Sequence, residues 1–346
     1  MTSNYSHKAL VFGSLSIDKI VNRYGTYPDV LGGSASYALL ATKQKECQLV
    51  GMVGSDFPKE HFDLLGGHSI DLDDLKIEKG KTFAWGGEYA YDFSKRETLY
   101  VDPGVSEKYK PILSEKAKKC EYLLLGNTHP SLQLTILDQI ESSPFVILDT
   151  FKLYMDIAND DLKKIISKSN LLCINYNEAV YLSGLSSPTL KEMAECILSM
   201  GTDSLIIKQG EDGASFFDSN THFSIGAYPV KTVMDTTGAG DAFAGGLLSS
   251  KMAGKNIEDA MIAGATMASF CIEDNLDTIK TIPAQIWRAT VREATEKRNR
   301  QKIIDNCHKK EGNMIVPKTK SLSILKTIEN DNYIRKPCNE ILSLSK

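Results

Sequence analysis

The sequence predicts an α/β protein with a mostly parallel sheet flanked by helices and a small β lid. Two observations predict this fold class. Short apolar runs alternate with helical patterns along much of the chain, and one region alternates aromatic, β-branched and polar residues instead. Strands buried in a parallel sheet are short apolar runs, and the segments of period 3.6 between them are crossover helices. Ligands of such a sheet bind beyond the carboxyl ends of its strands.

Six apolar runs are predicted to be strands, and three segments between them are predicted to be helices. The strands cover residues 9–12, 48–53, 122–125, 145–148, 171–174 and 204–207. The helical patterns cover residues 131–140, 156–166 and 190–200. A chain of 346 residues is long enough to bury a large core, so we expect one large α/β domain with an appendage.

Residues 82–91 and 96–101 interrupt this alternation of strands and helices. Aromatic and β-branched residues alternate there with polar ones, on either side of the polar turn 92–95. Such period-2 alternation around a turn predicts a β-hairpin. The hairpin could cover a ligand site as a lid or extend the edge of the sheet, and the pattern leaves both open. The lid interpretation takes in residues from about 17–31 and 82–101.

The overall composition is that of a globular protein that binds neither nucleic acid nor membranes. Hydrophobic residues make up 42% of the chain, and the net charge of -4 provides no general attraction for polyanions. No apolar stretch reaches the roughly 20 residues of a membrane-spanning helix, and the first residues lack a signal-peptide pattern. We therefore expect a cytoplasmic protein. Seven scattered cysteines without a C-x-x-C pair predict neither a disulfide framework nor a zinc site.

The C-terminal part differs in composition from the rest of the chain. Residues 295–346 contain 12 Lys or Arg and 6 Asp or Glu, a balance of +6 in a chain whose net charge is -4. We predict a main domain over residues 1–290 and a basic extension over residues 291–346 that is helical at first and then loosely ordered. Because no aromatic residues are interleaved with the basic ones, a solvated helix is favoured over nucleic-acid binding.

The most informative stretch is D-T-T-G-A-G-D-A-F-A-G-G at residues 235–246. It follows an extended pattern over residues 227–233 and precedes a helical pattern that runs to about residue 252, so its glycines are predicted to lie at a helix N-terminus. Free backbone N–H groups and the positive end of the helix dipole can hold an anion there. Asp241 could accept a proton from a hydroxyl in the same place; the alternative is a simple helix cap.

This stretch resembles the C-terminal signature of the PfkB, or ribokinase-like, family of carbohydrate and nucleoside kinases. The resemblance implies that Asp241 is the catalytic base and that the amides of Gly238, Ala239 and Gly240 form an anion hole. It implies ATP and Mg²⁺ as cofactors. In some members the first aspartate of the signature, here Asp235, holds a monovalent cation such as K⁺.

Two N-terminal motifs extend the resemblance, which covers about residues 8–275. Asp18 is similar to a family aspartate that binds substrate hydroxyls, and a carboxylate can accept two such hydrogen bonds at once. Gly32 and Gly33 are similar to the family's di-glycine hinge, and Tyr37 stands where many sugar kinases have Asn. This departure argues against a simple ribokinase or fructokinase. Tyr37 is either an aromatic contact for the acceptor or packing beneath the lid.

Two further turns resemble the family's metal and nucleotide sites. Asn175 and Glu178 match an N-x-x-E motif whose acidic residue acts on Mg²⁺ through water, although the same spacing is common in helix capping. Lys208, Gly210 and Gly213 resemble a nucleotide-binding turn in which Thr often occupies the first position. A lysine there could pair with the phosphates of ATP or lie in solvent.

Five other side chains are candidates for the same cleft, because they follow predicted strands or belong to the predicted hairpin. They are Trp85, Tyr89, His129, Asp149 and Thr150.

The resemblance implies an ATP-dependent kinase that phosphorylates a hydroxyl of a small sugar, a nucleoside or a related polyol such as a cyclitol. The sequence contains neither a P-loop nor the protein-kinase signatures. Two other classes are weighed against it. A dehydrogenase is disfavoured because no G-x-G-x-x-G follows the first strand, whereas a catalytically silent PfkB-like binding or regulatory protein stays open. The expected partners are ATP and the acceptor, and a homodimer through the lid is left open.

Overall fold

The computed structural model describes residues 8–42, 46–67, 70–93, 95–273 and 290–297. The chain divides into two compact units, Met1–Ile282 and Pro283–Lys346. In the second unit, residues 290–297 are helical. Most of the predicted extension, residues 291–346, lies outside the described residues, so its character and the boundary at residue 290 stay predictions.

The strands of the described chain are, in order, β1 (Ala9–Phe12), β2 (Ser16–Asn22), β3 (Gly25–Gly32), β4 (Cys47–Gly54), β5 (Asp71–Glu78), β6 (Ala84–Tyr89), β7 (Arg96–Asp102), β8 (Tyr122–Leu125), β9 (Phe145–Leu148), β10 (Leu171–Asn175), β11 (Ser204–Lys208), β12 (Ala214–Asp218) and β13 (His222–Ile225). The helices are α1 (Ser34–Thr42), α2 (Lys59–Gly67), α3 (Pro130–Leu137), α4 (Lys152–Ile157), α5 (Asn159–Ile166), α6 (Tyr176–Ser183), α7 (Leu190–Leu198), α8 (Ala239–Met252) and α9 (Ile257–Glu273). Among these described helices, none has the length and apolarity needed to cross a membrane.

Nine of the described strands form the main sheet, in the order β13-β12-β11-β10-β9-β8-β1-β4-β5. Neighbouring strands from β11 to β5 are parallel, while β12 and β13 add an antiparallel edge. Leu10 and Phe12 of β1 pack into a core with α3, α5 and α7, and α1 and α8 contact the sheet at β1, β4 and β8. Every residue of β1 and β4 is buried as a result. The predicted mostly parallel α/β fold is confirmed.

Four strands form a separate small sheet, in the order β3-β2-β6-β7. Strands β6 and β7 are antiparallel, and Tyr89 lies opposite Arg96 in their register. The predicted hairpin is therefore present, and it pairs with β2 rather than extending the edge of the main sheet. Whether the small sheet closes as a lid stays a prediction.

The helix predicted over residues 156–166 is wrong in its start and its continuity. Two helices occupy this region, because α4 ends at Ile157 and α5 begins at Asn159. Ala158 between them has φ -142° and ψ 36°, outside the helical region, so the backbone hydrogen-bond ladder is interrupted there.

The extended segment predicted over residues 227–233 is also wrong, because these residues form no strand. The last strand before the signature is β13, which ends at Ile225. Pro229 lacks an N–H and cannot donate to a strand ladder. The carbonyl of Val233 instead accepts hydrogen bonds from Tyr24 Oη at 3.3 Å and Arg23 Nη2 at 3.4 Å. The residues before the signature therefore form a loop that is held by the small sheet.

Candidate active site

A cavity of about 1050 Å³ opens between the small sheet and the carboxyl ends of the main-sheet strands. Ten of the predicted site residues line it: Asp18, Gly33, Tyr37, Asn175, Glu178, Lys208, Gly238, Ala239, Gly240 and Asp241. Four of the other candidates line it as well: Trp85, His129, Asp149 and Thr150. Five predicted residues lie outside its lining: Gly32, Tyr89, Gly210, Gly213 and Asp235. Residues that are far apart in the chain thus meet where a parallel sheet is expected to bind its ligand.

The signature residues form the start of α8. Gly238 is the N-cap in the left-handed region, with φ 72°, and its carbonyl accepts a hydrogen bond from Ala242 N at 2.8 Å. The amide of Ala239 donates to Thr236 O at 3.3 Å. Among the described residues, the amides of Gly240 and Asp241 have no backbone acceptor outside the helix. A fourteen-residue helix therefore presents unpaired N–H groups to the cavity, as anion binding requires.

The ring of Tyr37 packs directly against Gly238. A Cβ at position 238 would collide with ring atoms of Tyr37, so only glycine suits this place both sterically and by its positive φ. Tyr37 lies on the fully buried helix α1 and is 3% exposed. The phenol ring thus packs against the loop before α8 and stabilises its conformation. Its predicted contact with the acceptor stays a prediction.

The ammonium group of Lys208, at the end of β11, lies among three carboxyl groups: Asp149 after β9, Glu178 in α6 and Asp241 in α8. Lys208 Nζ lies 3.5 Å from Asp149 Oδ2, and both side chains are largely buried. A Cβ on Gly240 would lie 3.0 Å from Lys208 Nζ, which places the ammonium beside the start of α8. Glu178 and Asp241 are close enough to interact electrostatically with Lys208. Lys208 is therefore not a solvent-exposed residue at the end of a strand.

Two carboxyl groups of this cluster, those of Asp241 and Glu178, have raised pKa values. Burial, together with the negative charge of Asp149, raises the pKa of Asp241 to about 7. The same two causes raise the pKa of Glu178 to about 7. Burial by itself lowers the pKa of Lys208, but the surrounding carboxylates outweigh it and hold that pKa above its ordinary value. A carboxyl that titrates near neutrality is suited to general-base work.

Asn175 and Glu178 form a reciprocal cap at the start of α6. Glu178 N donates to Asn175 Oδ1 at 2.9 Å, and Asn175 N donates to Glu178 Oε2 at 2.9 Å. The capping alternative for this motif is therefore realised. Glu178 still lines the cavity, and a capping carboxylate has a second oxygen, so its metal role stays a prediction.

Asp18, on β2 of the small sheet, also lines the cavity. It is 4% exposed, and its Oδ1 has no hydrogen-bond partner among the described residues. Burial raises its pKa to about 7. Gly32 lies against the Asp18 carboxylate, where a Cβ would collide with it, and Gly33 has φ 94°. Thr150 Oγ1, also on the cavity lining, is likewise buried without a partner. Two orphaned polar atoms in one cavity indicate a polar ligand.

An aromatic wall stands beside these polar groups. Trp85 lies under the guanidinium of Arg96, whose central carbon is 4.9 Å from the indole centroid and 6.0 Å from that of Phe151. His129 and Tyr154 meet edge to face at 5.5 Å. Sequence reasoning missed Arg96, Phe151 and Tyr154. The available signal for Phe151 was its place just beyond the carboxyl end of β9, whereas Arg96 looked like an ordinary hairpin residue.

Three predicted residues serve turns away from the cavity lining. Gly210 and Gly213 have φ 62° and 93° in the turn between β11 and β12, and Gly213 O accepts from Gln209 N at 2.8 Å. Asp235 Oδ1 accepts from Thr237 N at 2.8 Å and from Thr237 Oγ1 at 2.7 Å. The nucleotide and monovalent-cation roles predicted for these residues stay predictions.

The donor set of the cavity fits a divalent cation that is held indirectly. In the described part of the chain, no three His, Cys, Asp or Glu side chains are grouped so as to bind a metal by themselves. Asp149, Glu178 and Asp241 nevertheless surround the single ammonium of Lys208, which leaves excess negative charge when all three are ionised. Magnesium prefers oxygen ligands and retains several waters, so these residues suit Mg²⁺ bound through water and phosphate oxygens.

Comparison with known proteins identifies the family to which this chain belongs. The model of the pfkB family carbohydrate kinases matches residues 6–284. A cytidine kinase from Thermococcus kodakarensis is 28% identical over 269 residues, which cover 75% of this chain and 94% of that protein. A nucleoside kinase from Methanocaldococcus jannaschii has a similar structure, with a TM-score of 0.67, 22% identity and coverage of 84% and 98% of the two chains.

The Arabidopsis thaliana ribokinase complexed with ribose and ATP shares the fold, with a TM-score of 0.68, 20% identity and coverage of 82% and 97%. At this identity the structural likeness establishes the fold alone, and the family rests on the sequence match over most of the chain. The chain therefore belongs to the pfkB family of carbohydrate kinases and is an ATP-dependent kinase of small molecules.

Proposed function

We propose that the protein transfers the γ-phosphoryl group of ATP to a hydroxyl of a small sugar, nucleoside or related polyol, with Asp241 as the base. The observation that carries this proposal is the position of Asp241 in the first turn of α8, on the cavity lining, beside unpaired amides and the Lys208 ammonium. A base, an anion site and a fixed positive charge are the parts that phosphoryl transfer requires.

Each of these groups has a separate task in the transfer. Asp241 accepts the proton of the acceptor hydroxyl as the oxygen attacks phosphorus. The amides at Gly238–Gly240 donate to the oxygens of the transferred group; that of Ala239 would first have to leave Thr236 O. Lys208 lies beside Gly240 at the start of α8, where it can contact the transferred group, and it offsets the charge of Asp149 and Asp241. Positioning and electrostatics supply most of the rate in such reactions.

Magnesium, when bound, would neutralise the polyphosphate and orient it. Glu178 and Asn175 are the residues that would hold it through water, because Glu178 lies on the cavity lining next to Asp149. Asp235 would serve a monovalent cation such as K⁺. Its Oδ1 is already bonded to Thr237, so only its other oxygen is free of these two bonds.

We expect the acceptor to bind in the part of the cavity around Asp18, and the residues there favour a substrate that has both hydroxyls and a ring. The unpaired Asp18 Oδ1 is suited to accept hydroxyl hydrogen bonds. Trp85, Phe151 and Tyr154 provide flat apolar surface that a simple sugar would leave unused. This combination supports a nucleoside over ribose or fructose, in line with the name of the cytidine kinase relative.

The test is an ADP-release assay with ribose, fructose, inositol and the common nucleosides, performed on the wild-type protein and on Asp241→Asn. We expect turnover with one class of acceptor, a loss of about 10²-fold or more in Asp241→Asn, and nearly unchanged ATP affinity. Asp160→Asn is the matched control, since Asp160 is an exposed carboxylate in the first turn of α5. An inactive wild type with every acceptor would favour the silent binding protein. An active Asp241→Asn would remove Asp241 from the base role.

A further inference from the structure

A hydrogen bond joins the small sheet directly to the signature loop. Tyr89, the last residue of β6, is 7% exposed, and its hydroxyl lies 2.6 Å from Thr237 Oγ1. Thr237 immediately precedes Gly238, the N-cap of α8. A residue of the small sheet therefore touches the segment that carries the predicted anion hole, although 148 positions separate the two in sequence.

The neighbouring hydrogen bonds determine which of the two hydroxyls donates in this bond. Asp235 Oδ1 receives both the backbone N–H and the hydroxyl of Thr237. An oxygen that receives an N–H is an acceptor, so the single hydroxyl proton of Thr237 is directed to Asp235. Tyr89 must then be the donor in its bond with Thr237. Its phenol fixes the Thr237 hydroxyl, and this hydroxyl fixes the turn that starts at Asp235.

Arg96 connects this pair of residues to the cavity. It lies opposite Tyr89 in the β6–β7 register and interacts electrostatically with the Tyr89 side chain. The Arg96 guanidinium lies over Trp85 on the cavity lining. Two hydrogen bonds thus run from Tyr89 through Thr237 to Asp235, and Arg96 lies between Tyr89 and the aromatic wall. A guanidinium has five N–H groups, so Arg96 can serve Tyr89 and a ligand at once.

Other contacts between the small sheet and this loop are made to backbone carbonyls further from the signature. Asn22 Nδ2 donates to Met234 O at 3.1 Å, and Arg23 and Tyr24 donate to Val233 O. These bonds hold the loop before residue 235. The bond from Tyr89 differs because it reaches a side chain inside the signature, one residue from Gly238.

We propose that Tyr89 is a positioning residue, which through Thr237 holds residues 236–240 in the arrangement needed for phosphoryl transfer when the small sheet engages the acceptor. This inference rests on the proposed function for its kinetic consequence. Its structural consequence, a loop that is less well held without the phenol hydroxyl, is independent of catalysis.

Tyr89→Phe is the test variant, because it removes the hydroxyl and keeps the ring that lies 5.9 Å from Phe93. Tyr100→Phe is the matched control: it removes a phenol hydroxyl from β7 of the same sheet, at a residue that is 42% exposed and not part of the cavity lining. Hydrogen–deuterium exchange is measured first. We expect faster exchange in the peptide carrying residues 236–240 in Tyr89→Phe, no change in Tyr100→Phe, and melting temperatures within about 4 °C of wild type.

The second part of the test is kinetic. Tyr89→Phe should lower kcat about 10-fold while KM for ATP stays within about 2-fold, since a displaced anion hole slows transfer more than it weakens nucleotide binding. Thr237→Val should have a similar effect, and the double variant should be no worse than Thr237→Val alone.

Unchanged exchange in residues 236–240 overturns the positioning role, and so does a double variant whose losses simply add. A wild type that turns over no acceptor refutes the proposed function instead, and the exchange experiment still decides the role of Tyr89.

Discussion

Replacing Gly238 by alanine tests the packing beneath the predicted anion hole. The residue has φ 72°, where an L-residue with a Cβ is disfavoured by about 1–2 kcal/mol. The added Cβ would also collide with the ring of Tyr37, and overpacking of this kind costs about 1–3 kcal/mol. We therefore expect Gly238→Ala to lower the free energy of unfolding by about 2–5 kcal/mol. Displaced amide donors should lower kcat by about 10²-fold.

Gly254 provides a control with the same backbone conformation. It also has φ 72°, but nothing lies within 4 Å of a Cβ built there. Gly254→Ala should therefore lose only the conformational part, about 1–2 kcal/mol, and keep its activity. The difference between the two variants isolates the contact with Tyr37.

The assay is urea unfolding of both variants, together with Tyr37→Ala and the double variant Gly238→Ala/Tyr37→Ala. If the ring is the obstacle, Gly238→Ala should cost at least about 1 kcal/mol less in the Tyr37→Ala background. Equal losses in Gly238→Ala and Gly254→Ala, or additive losses in the double variant, would refute the reasoning.

Three further predictions concern the pH dependence of activity, the pH dependence of stability and the choice of acceptor. Because burial raises the pKa of Asp241 to about 7, its protonated form prevails below neutrality and cannot accept a proton, so kcat/KM should fall as pH drops from about 8 to about 6; a flat profile would contradict this. The pKa of Asp241 in the folded protein lies above its usual 3.8, so the unfolded state loses this proton first and the free energy of unfolding decreases as pH rises from about 4 to about 7. Urea unfolding of Asp241→Asn should show a smaller decrease of that free energy over the same range. Tyr37→Asn should raise activity on ribose or fructose relative to the native acceptor. Unchanged acceptor profiles in Tyr37→Asn and Tyr37→Phe would reduce the ring to a packing role.

Local sequence signals were sufficient for the family and the fold. The apolar runs at residues 9–12, 122–125 and 145–148 coincide with β1, β8 and β9, because a strand buried on both faces must be apolar throughout. The signature at residues 235–246 is contiguous and includes the turn, the glycines and the predicted base, Asp241. Such features depend on neighbouring residues and can be read without a structure.

Local patterns were less reliable where long-range contacts decide the backbone. The extended pattern at residues 227–233 suggested a strand, yet this segment is a loop whose carbonyl at Val233 accepts hydrogen bonds from Arg23 and Tyr24, in the turn between β2 and β3. Local apolar periodicity carries no information about such partners, because they come from a distant part of the chain.

By itself, the sequence determined which chemical groups are present and that Asp241 follows a glycine turn at a helix start, since both are properties of contiguous residues. The tertiary structure alone decided which groups meet: Lys208 with Asp149, the Tyr37 ring beneath Gly238, and Tyr89 with Thr237. These pairs join different strands and helices, so their distances depend on how sheets and helices pack. No local periodicity encodes that packing, and the burial that shifts the carboxyl pKa values arises only when the packing is complete.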